Sequence, residues 1–403
     1  MLGTSKISMT SSSTWWISKQ KQLEAIVNSG QRTPCYVYDL DDISKRIDYM
    51  LSSMGSVDCI WYAVKANHNE QVIKTIADKG LRFECVSIYE IKHVLKIIGQ
   101  EKAKTHILFT PNFVSQKELT EAFEIGCYVT LDNAWPLFKW PELFRNKNLI
   151  IRLDPSSLEE WQQHSYIKTC GADTKFGIGL DEINDVCQQL SDLSAKVIGL
   201  HVHVGSQIFD ATIWKQNAEN LMKITSTSFP DIKVINVGGG FGVNYHPSSD
   251  NQHGNDVLDL VKVNNYLKHI VKPGIELWIE SGRYIVAEAG VLLASVTQMK
   301  HKGQRLFLGV DAGMNSLIRP ALYGSYHHVV NLTALQRQST QSELILTDVV
   351  GQICESSDFI AKNRLLPDNN QEGDIILIST AGAYGFVMAN TYNMRPLPQE
   401  ISI

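Results

Sequence analysis

Short apolar runs recur along the chain, and between them the apolar residues fall at the spacing of three and four that marks one face of a helix. The runs lie at residues 59–64, 82–87, 106–110, 128–132, 149–154, 197–204, 233–237 and 276–280, with helix-like stretches such as 71–77 and 88–98 between them. Nearly unbroken apolar strands, each followed by a helix, are how a parallel sheet covered on both faces reads in sequence. Eight such units predict a (β/α)8 TIM-like barrel over residues 43–283. An open doubly wound sheet would normally carry a Gly-rich turn after its first strand, where this chain has Lys65-Ala66-Asn67.

The pattern differs on either side of this region. Residues 15–28 have amphipathic helical spacing, with Trp16, Leu23, Ile26 and Val27 on one side, and Gly30 ends the helix. Residues 1–13 are rich in Ser and Thr and are expected to be a disordered leader, so residues 1–30 are read as leader plus helix. A strand at 35–38 follows. Beyond 283, strand-like runs at 284–298, 305–310, 328–335, 343–350 and 374–379 succeed one another with little helix between them. They predict a C-terminal β-sandwich or β-barrel domain over 284–403, joined by a strand from 31–42.

Composition narrows the class of function. At 403 residues the chain exceeds one ordinary core. Its net charge of −5, with acids and bases mixed, offers no basic stripe for nucleic acid and no polybasic anchor for a membrane. The longest apolar candidate, 285–296, is interrupted by Glu288 and is too short to span a bilayer. Seven scattered cysteines without a Cys-x-x-Cys pair read as reduced thiols of a cytoplasmic protein. Small-molecule chemistry is the reading that remains.

Barrels of this kind carry their chemistry at the C-terminal ends of the strands. Here those ends offer Lys65, Glu84 with Ser87, Thr110, Asp132, Asp154, His203 with Ser206, Gly238 to Gly240, and Glu280 with Arg283. Asp132-Asn133 and Asp154-Pro155 are ordinary turn starters and carry no functional weight. A lysine at the mouth of an apolar strand is partly desolvated, which favours imine formation with a carbonyl and makes Lys65 a candidate anchor for pyridoxal phosphate. The bland alternative is a lysine that turns the chain toward water. The glycine run can admit a phosphate to backbone N–H groups, or it is a tight turn. Arg283 suits phosphate or carboxylate, or forms an ion pair with Glu288; Glu280 suits a pyridine nitrogen, or a salt bridge to Arg283. His201 and His203 share one strand face, which also suits a metal, although the fifth strand offers only Asp154 as a partner.

Further motifs carry a family resemblance. Tyr62-Ala63-Val64-Lys65-Ala66-Asn67, Thr174-Lys175-Phe176-Gly177, His203-Val204-Gly205-Ser206, Gly238-Gly239-Gly240-Phe241 and Glu280-Ser281-Gly282-Arg283 are followed by Asp311-Ala312-Gly313-Met314-Asn315, the Arg319 segment and Cys354-Glu355-Ser356-Ser357-Asp358. In this order, over residues 33–393, the sequence resembles the fold type III pyridoxal-phosphate-dependent decarboxylases. By that resemblance the cofactor is pyridoxal 5'-phosphate, linked to Lys65, with His203 stacked on its ring and Glu280 on its pyridine nitrogen. Ser206, Gly239, Gly240, Ser281, Gly282 and Arg283 would serve the phosphate side, with Arg283 also meeting substrate. Tyr384 would reach both cofactor and substrate. Cys354 would donate the proton that replaces carbon dioxide. The resemblance further implies a homodimer in which Cys354 and Glu355 enter the partner subunit's site, and no metal. Serine at 281 departs from the proline usual in the family. Some relatives carry an aspartate kinase ahead of the decarboxylase, and the stretch before Thr33 is too short for one, so decarboxylation alone is expected.

The distal end of the substrate can be read from Arg319, Tyr323 and Glu355. A chain ending in a second amino-acid group needs a cation for its carboxylate and an acid for its ammonium, and Arg319 with Glu355 supply both. The expected reaction is therefore the conversion of meso-2,6-diaminopimelate to L-lysine and carbon dioxide. Ornithine or lysine, carboxynorspermidine and amino-acid conjugates are the rival substrates. A cofactor-binding regulator without catalysis and a metal-dependent hydrolase are the rivals of other classes.

Overall fold

The computed structural model describes residues 15–30, 32–154, 174–246, 257–303, 305–337 and 343–403. The leader, Pro155 and Cys170 lie outside them. The described residues form two compact units, one drawn from Met1–Ile43, Val243–Asp256 and Ile285–Ile403, the other from Ser44–Gly242 and Val257–Tyr284.

One strand, β1 (Cys35–Tyr38), precedes the second unit, which then lays down β2 (Cys59–Ala63), β3 (Arg82–Cys85), β4 (Ile107–Phe109), β5 (Tyr128–Leu131), β6 (Asn148–Asp154), β7 (Ile178–Gly179), β8 (Lys196–His201), β9 (Val234–Asn236) and β10 (Glu276–Ser281). All neighbours are parallel, and pairing runs β5-β4-β3-β2-β10-β9-β8-β6 and closes between β6 and β5. This is the eight-stranded barrel predicted from the apolar runs, with two-residue β7 added beside β6. Helices separate the strands. The one at Gln116–Ile125 shows how local sequence sets their limits: Ser115 and Glu118 form a reciprocal capping box at its start, and Gly126 ends it with a left-handed φ of 81°.

Side-chain alternation decides what the barrel interior holds. Trp61, Leu108, Ile150, Val234 and Trp278 cluster across its lower part, with the Trp61 and Trp278 rings 4.9 Å apart and Tyr128 packed edge-on against both. That layer is an apolar, largely aromatic plug. Two residues further along the strands the same face presents Thr110, Arg152, Asn236 and Glu280, and Glu84 likewise follows Arg82, whose guanidinium lies over Trp61. The polar groups thus sit above the plug, toward the C-terminal strand ends.

The other unit is built on β11 (Gly290–Lys302), which pairs antiparallel with β1, with β12 (Arg305–Val310) and with β16 (Ile375–Ile378). Around it the sheet adds β13 (Val329–Asn331), β14 (Leu344–Val350), β15 (Phe359–Pro367) and β17 (Gln399–Ser402), the last parallel to β1. The N-terminal helical stretch, broken into Trp15–Ser18 and Gln20–Asn28, packs Trp15 and Leu23 on Val37, Val291, Leu293 and Leu377. Three details differ from the sequence reading. Residues 284–289 open with a short helix, Arg283–Val286, before β11 begins. Only Val329–Asn331 of 328–335 is strand, because the Asn331 side chain accepts the Ala334 N–H and starts a helix. Strands β15 and β17 were not foreseen.

Candidate active site

At the top of β2 the chain enters one 3-10 turn, Val64–Ala66, which carries Lys65 onto the barrel mouth with 41% of its side chain exposed. Its ammonium lies 2.8 Å from Glu84 Oε2. Glu84 is buried, and its other oxygen accepts a hydrogen bond from the Thr110 hydroxyl. Burial pushes the Glu84 carboxyl above its ordinary range, while the charge of Lys65 pulls it back and that of Glu280 raises it further. Glu280 is buried too, accepts from Asn236 Nδ2 at 3.0 Å, and has its carboxyl raised by burial against the opposing pull of Lys65 and Arg152.

Strand β8 contributes His201 and, past its end, His203. His201 Nε2 lies 3.2 Å from Glu280 Oε1 but too far off axis for a hydrogen bond. Burial first, then the charges of Arg152 and Lys65, drive both imidazoles well below their ordinary value, so each is neutral at physiological pH. The Gly239 N–H donates to His203 Nδ1 at 3.1 Å, fixing that nitrogen as an acceptor. Gly240 takes a φ of +92°, and a Cβ there would lie 2.4 Å from the Gly205 carbonyl oxygen, so the turn after β9 admits only glycine. Arg283 Nη2 donates to Ser206 Oγ at 3.3 Å. Ser281 and Gly282 complete the end of β10.

Lys65, His203, Ser206, Gly239, Gly240, Glu280, Ser281, Gly282 and Arg283 are therefore assembled by one unit. Arg319, Tyr323, Cys354, Glu355 and Tyr384 belong to the other. Arg319 is buried on the short helix Arg319–Tyr323, donating to His327 Nε2 at 2.8 Å and Ser325 Oγ at 3.4 Å, with its guanidinium 4.6 Å over the Tyr245 ring. Tyr323 ends that helix exposed. Cys354 is exposed on a loop whose Glu355 accepts from the Ser356 N–H at 2.8 Å. Tyr384 has a left-handed φ of 56°.

Arg152 and Asn236 were not singled out from sequence. Arg152 is buried, pairs with Asp132 at 2.9 Å and lies 4.6 Å over Phe176 of the Thr174–Gly177 stretch. Asn236 orients Glu280. Their signal was parity: each is a polar residue within an apolar strand, on the same face as the plug. Asp132, set aside as a turn starter, is in fact the buried acceptor for Arg152 and Asn112. Among the described residues no three His, Cys, Asp or Glu side chains gather as metal ligands.

Residues 40–287 match the pyridoxal binding domain of the pyridoxal-dependent decarboxylases. The chain belongs to that family. It is 32% identical to diaminopimelate decarboxylase of Aquifex aeolicus, covering 92% of this chain and 86% of the relative. It is 33% identical to the Campylobacter jejuni diaminopimelate decarboxylase, over 95% and 92% of the two chains. The crystal structure of diaminopimelate decarboxylase from Helicobacter pylori complexed with L-lysine superposes with a TM-score of 0.83 at 28% identity, covering 94% of each chain.

A pyridoxal-dependent decarboxylase needs an amine for the cofactor aldehyde, a partner for the ring nitrogen and donors for a phosphate. The residues present fit that demand: a half-exposed lysine, a buried carboxylate oriented by an amide, and a glycine turn close to a hydroxyl–guanidinium pair.

Proposed function

We propose that the chain decarboxylates meso-2,6-diaminopimelate to L-lysine and carbon dioxide, using pyridoxal 5'-phosphate held on Lys65. The reaction class is supported by one observation above the others, the buried carboxylate of Glu280 inside the same barrel end as Lys65. The substrate follows from near full-length similarity to relatives named diaminopimelate decarboxylase. When bound, pyridoxal phosphate supplies an electron sink into which a departing carboxylate can leave its bonding pair.

The protein's groups divide the remaining work. Glu84 takes the charge of the Lys65 ammonium whenever that amine is released. Glu280, with one oxygen steadied by Asn236, holds a proton at the pyridine nitrogen. Neutral His203 would hold the cofactor ring. Ser206, Gly239, Gly240, Ser281, Gly282 and Arg283 bind the phosphate through hydroxyl, backbone N–H and guanidinium donors. Cys354 Sγ delivers a proton to the substrate carbon that loses its carboxylate. Arg319 binds the distal carboxylate and Glu355 the distal ammonium, with Tyr323, Tyr384 and Arg283 lining substrate. Cys354 and Glu355 come from the second subunit of a cytoplasmic homodimer. No helix among the described residues is long and apolar enough to cross a membrane.

The test is carbon dioxide release by purified protein with pyridoxal phosphate, offering meso-diaminopimelate beside ornithine, lysine and carboxynorspermidine, with Lys65→Ala as the blank. Turnover of diaminopimelate that disappears in the variant is expected. Preferential turnover of another amino acid overturns the substrate assignment.

A further inference from the structure

Cys354 and Glu355 stand on an exposed loop, yet the backbone beneath them is held from two sides. On one side is Asp358, itself only 5% exposed. Its Oδ2 accepts the Ile353 N–H at 2.7 Å, and its Oδ1 accepts the Met314 N–H at 2.5 Å. One carboxylate thereby joins the residue just before Cys354 to the Asp311–Asn315 stretch. The joint is tight: a Cβ on Gly351 would lie 2.3 Å from Gly313 Cα and 2.4 Å from Asp358 Oδ2. Burial raises the Asp358 carboxyl, and the two N–H donors lower it again, as expected of a carboxylate engaged by backbone donors.

On the other side, Asn393 Oδ1 accepts the N–H of Cys354 itself at 2.7 Å. Asn393 adopts φ 54° and ψ 27°, a left-handed conformation that asparagine tolerates better than most residues. Within the loop, Glu355 N–H donates to Ile353 O at 2.8 Å and Asp358 N–H to Glu355 O at 3.1 Å. Cys354 is thus an exposed thiol on a backbone fixed at its own nitrogen and at the preceding one. A loop whose task was only to turn the chain would not require a buried carboxylate and a left-handed asparagine on consecutive N–H groups.

We propose that Asp358 and Asn393 are positioning residues that clamp the Cys354–Glu355 loop, fixing where the Cys354 thiol is presented for proton delivery. This deepens the assignment of Cys354 and rests on it. The clamp acts through backbone N–H groups, so it controls the position of Cys354 without touching substrate.

The test compares Asp358→Asn, Asn393→Gly and Asn393→Asp in the holoenzyme, alone and combined with Cys354→Ala. Asn393→Gly keeps the left-handed backbone and removes the acceptor, whereas Asn393→Asp keeps both. Asp358→Asn and Asn393→Gly are expected to lower kcat about 10- to 100-fold with KM and the visible cofactor band unchanged, the scale of a misplaced reacting group. Asn393→Asp is expected to stay within about 2-fold of the parent, since the acceptor that orders the thiol persists. Neither loss should add to that of Cys354→Ala. Full additivity, or parent kcat in both acceptor-removing variants, overturns the proposal. If Cys354→Ala itself keeps parent kcat, the proton-donor assignment fails. The clamp is then judged by the rate at which iodoacetamide alkylates Cys354, followed by peptide mass: an unchanged rate in Asn393→Gly overturns it, and a changed rate restored in Asn393→Asp upholds it. Should Asp358→Asn not fold, the two Asn393 variants decide alone.

Discussion

Lys65 Nζ and Glu84 Oε2 meet at 2.8 Å, joining a half-exposed ammonium to a carboxylate that is only 1% exposed. The burden of the pair is asymmetric: Lys65 can return to water, and Glu84 cannot. Lys65→Met should therefore abolish carbon dioxide release and the visible absorption of the holoenzyme, and should also destabilise the cofactor-free protein by roughly 1–3 kcal/mol through the unpaired acceptor left behind. Burial holds the folded-state carboxyl above its unfolded value, so the folded protein retains this proton longer than the unfolded chain. Its stability contribution is greatest below the unfolded value and is lost as pH rises through the folded one. Removing Lys65 strengthens that effect. Urea unfolding at pH 5 and pH 8 should show a larger deficit at pH 8; an equal deficit would mean that Glu84 is not the group responsible.

Arg319 is the residue on which substrate choice rests. Its guanidinium is oriented by His327, whose Nδ1 is 2.9 Å from the Ser379 carbonyl oxygen and donates to it, so that Nε2 is left as the acceptor for Arg319. Arg319→Gln should raise KM for meso-diaminopimelate with a smaller effect on kcat. The loss in kcat/KM should be about 30-fold or more, the scale for removing one partner of a buried charge-assisted contact. His327→Leu should move KM the same way by a smaller factor. Steady-state kinetics with both variants checks this, and an unchanged KM in Arg319→Gln would assign the distal carboxylate to another cation.

The barrel was legible because its strands are buried on both faces, leaving apolar runs that no exposed strand would show. The β-rich unit was less so. Strand β15 carries Lys362-Asn363-Arg364 through its middle and, among the described residues, pairs with β14 alone, so solvent rather than core sets that middle stretch. In the same unit, 328–335 is mostly apolar, and apolarity does not separate a strand from the helix that Asn331 starts. Of the site, the residues at strand ends could be read directly. Arg152 and Asn236 could not, because their importance depends on which strand face Trp61 and Trp278 occupy, and that requires register. The contact of Asp358 with Met314 joins residues 44 positions apart and left no local trace.

Glu90 offers a second pH test. Its carboxyl is pushed up to about 7, chiefly by burial, although the Val86 N–H donates to it at 2.7 Å. The unfolded side chain titrates near the ordinary 4.5, so between about 4.5 and 7 the folded state holds a proton that the unfolded state has lost. Stability should fall across that window and level off above it. Glu90→Gln mimics the protonated form. It should match the parent near pH 4.5 and exceed it at pH 8 by up to about 3 kcal/mol. Denaturant midpoints of both proteins at the two pH values check the sign, and a variant less stable at pH 8 would refute it.

Ser281 is the residue that departs from the proline usual in the family. Glu280 faces the barrel interior beside Asn236, so alternation turns the next side chain, Ser281, to the opposite face of β10. There it is 2% exposed, and its hydroxyl finds no hydrogen-bond partner among the described residues. A buried hydroxyl without a partner carries a desolvation penalty that a methyl group of similar shape avoids. Its side chain, unlike its backbone N–H, therefore points away from the phosphate side of the site. Ser281→Ala should stabilise the cofactor-free protein by about 1 kcal/mol. Urea unfolding at pH 7 measures it. A loss of stability instead would show that the hydroxyl is satisfied in solution, and serine at this position would then be a structural contact in place of the proline.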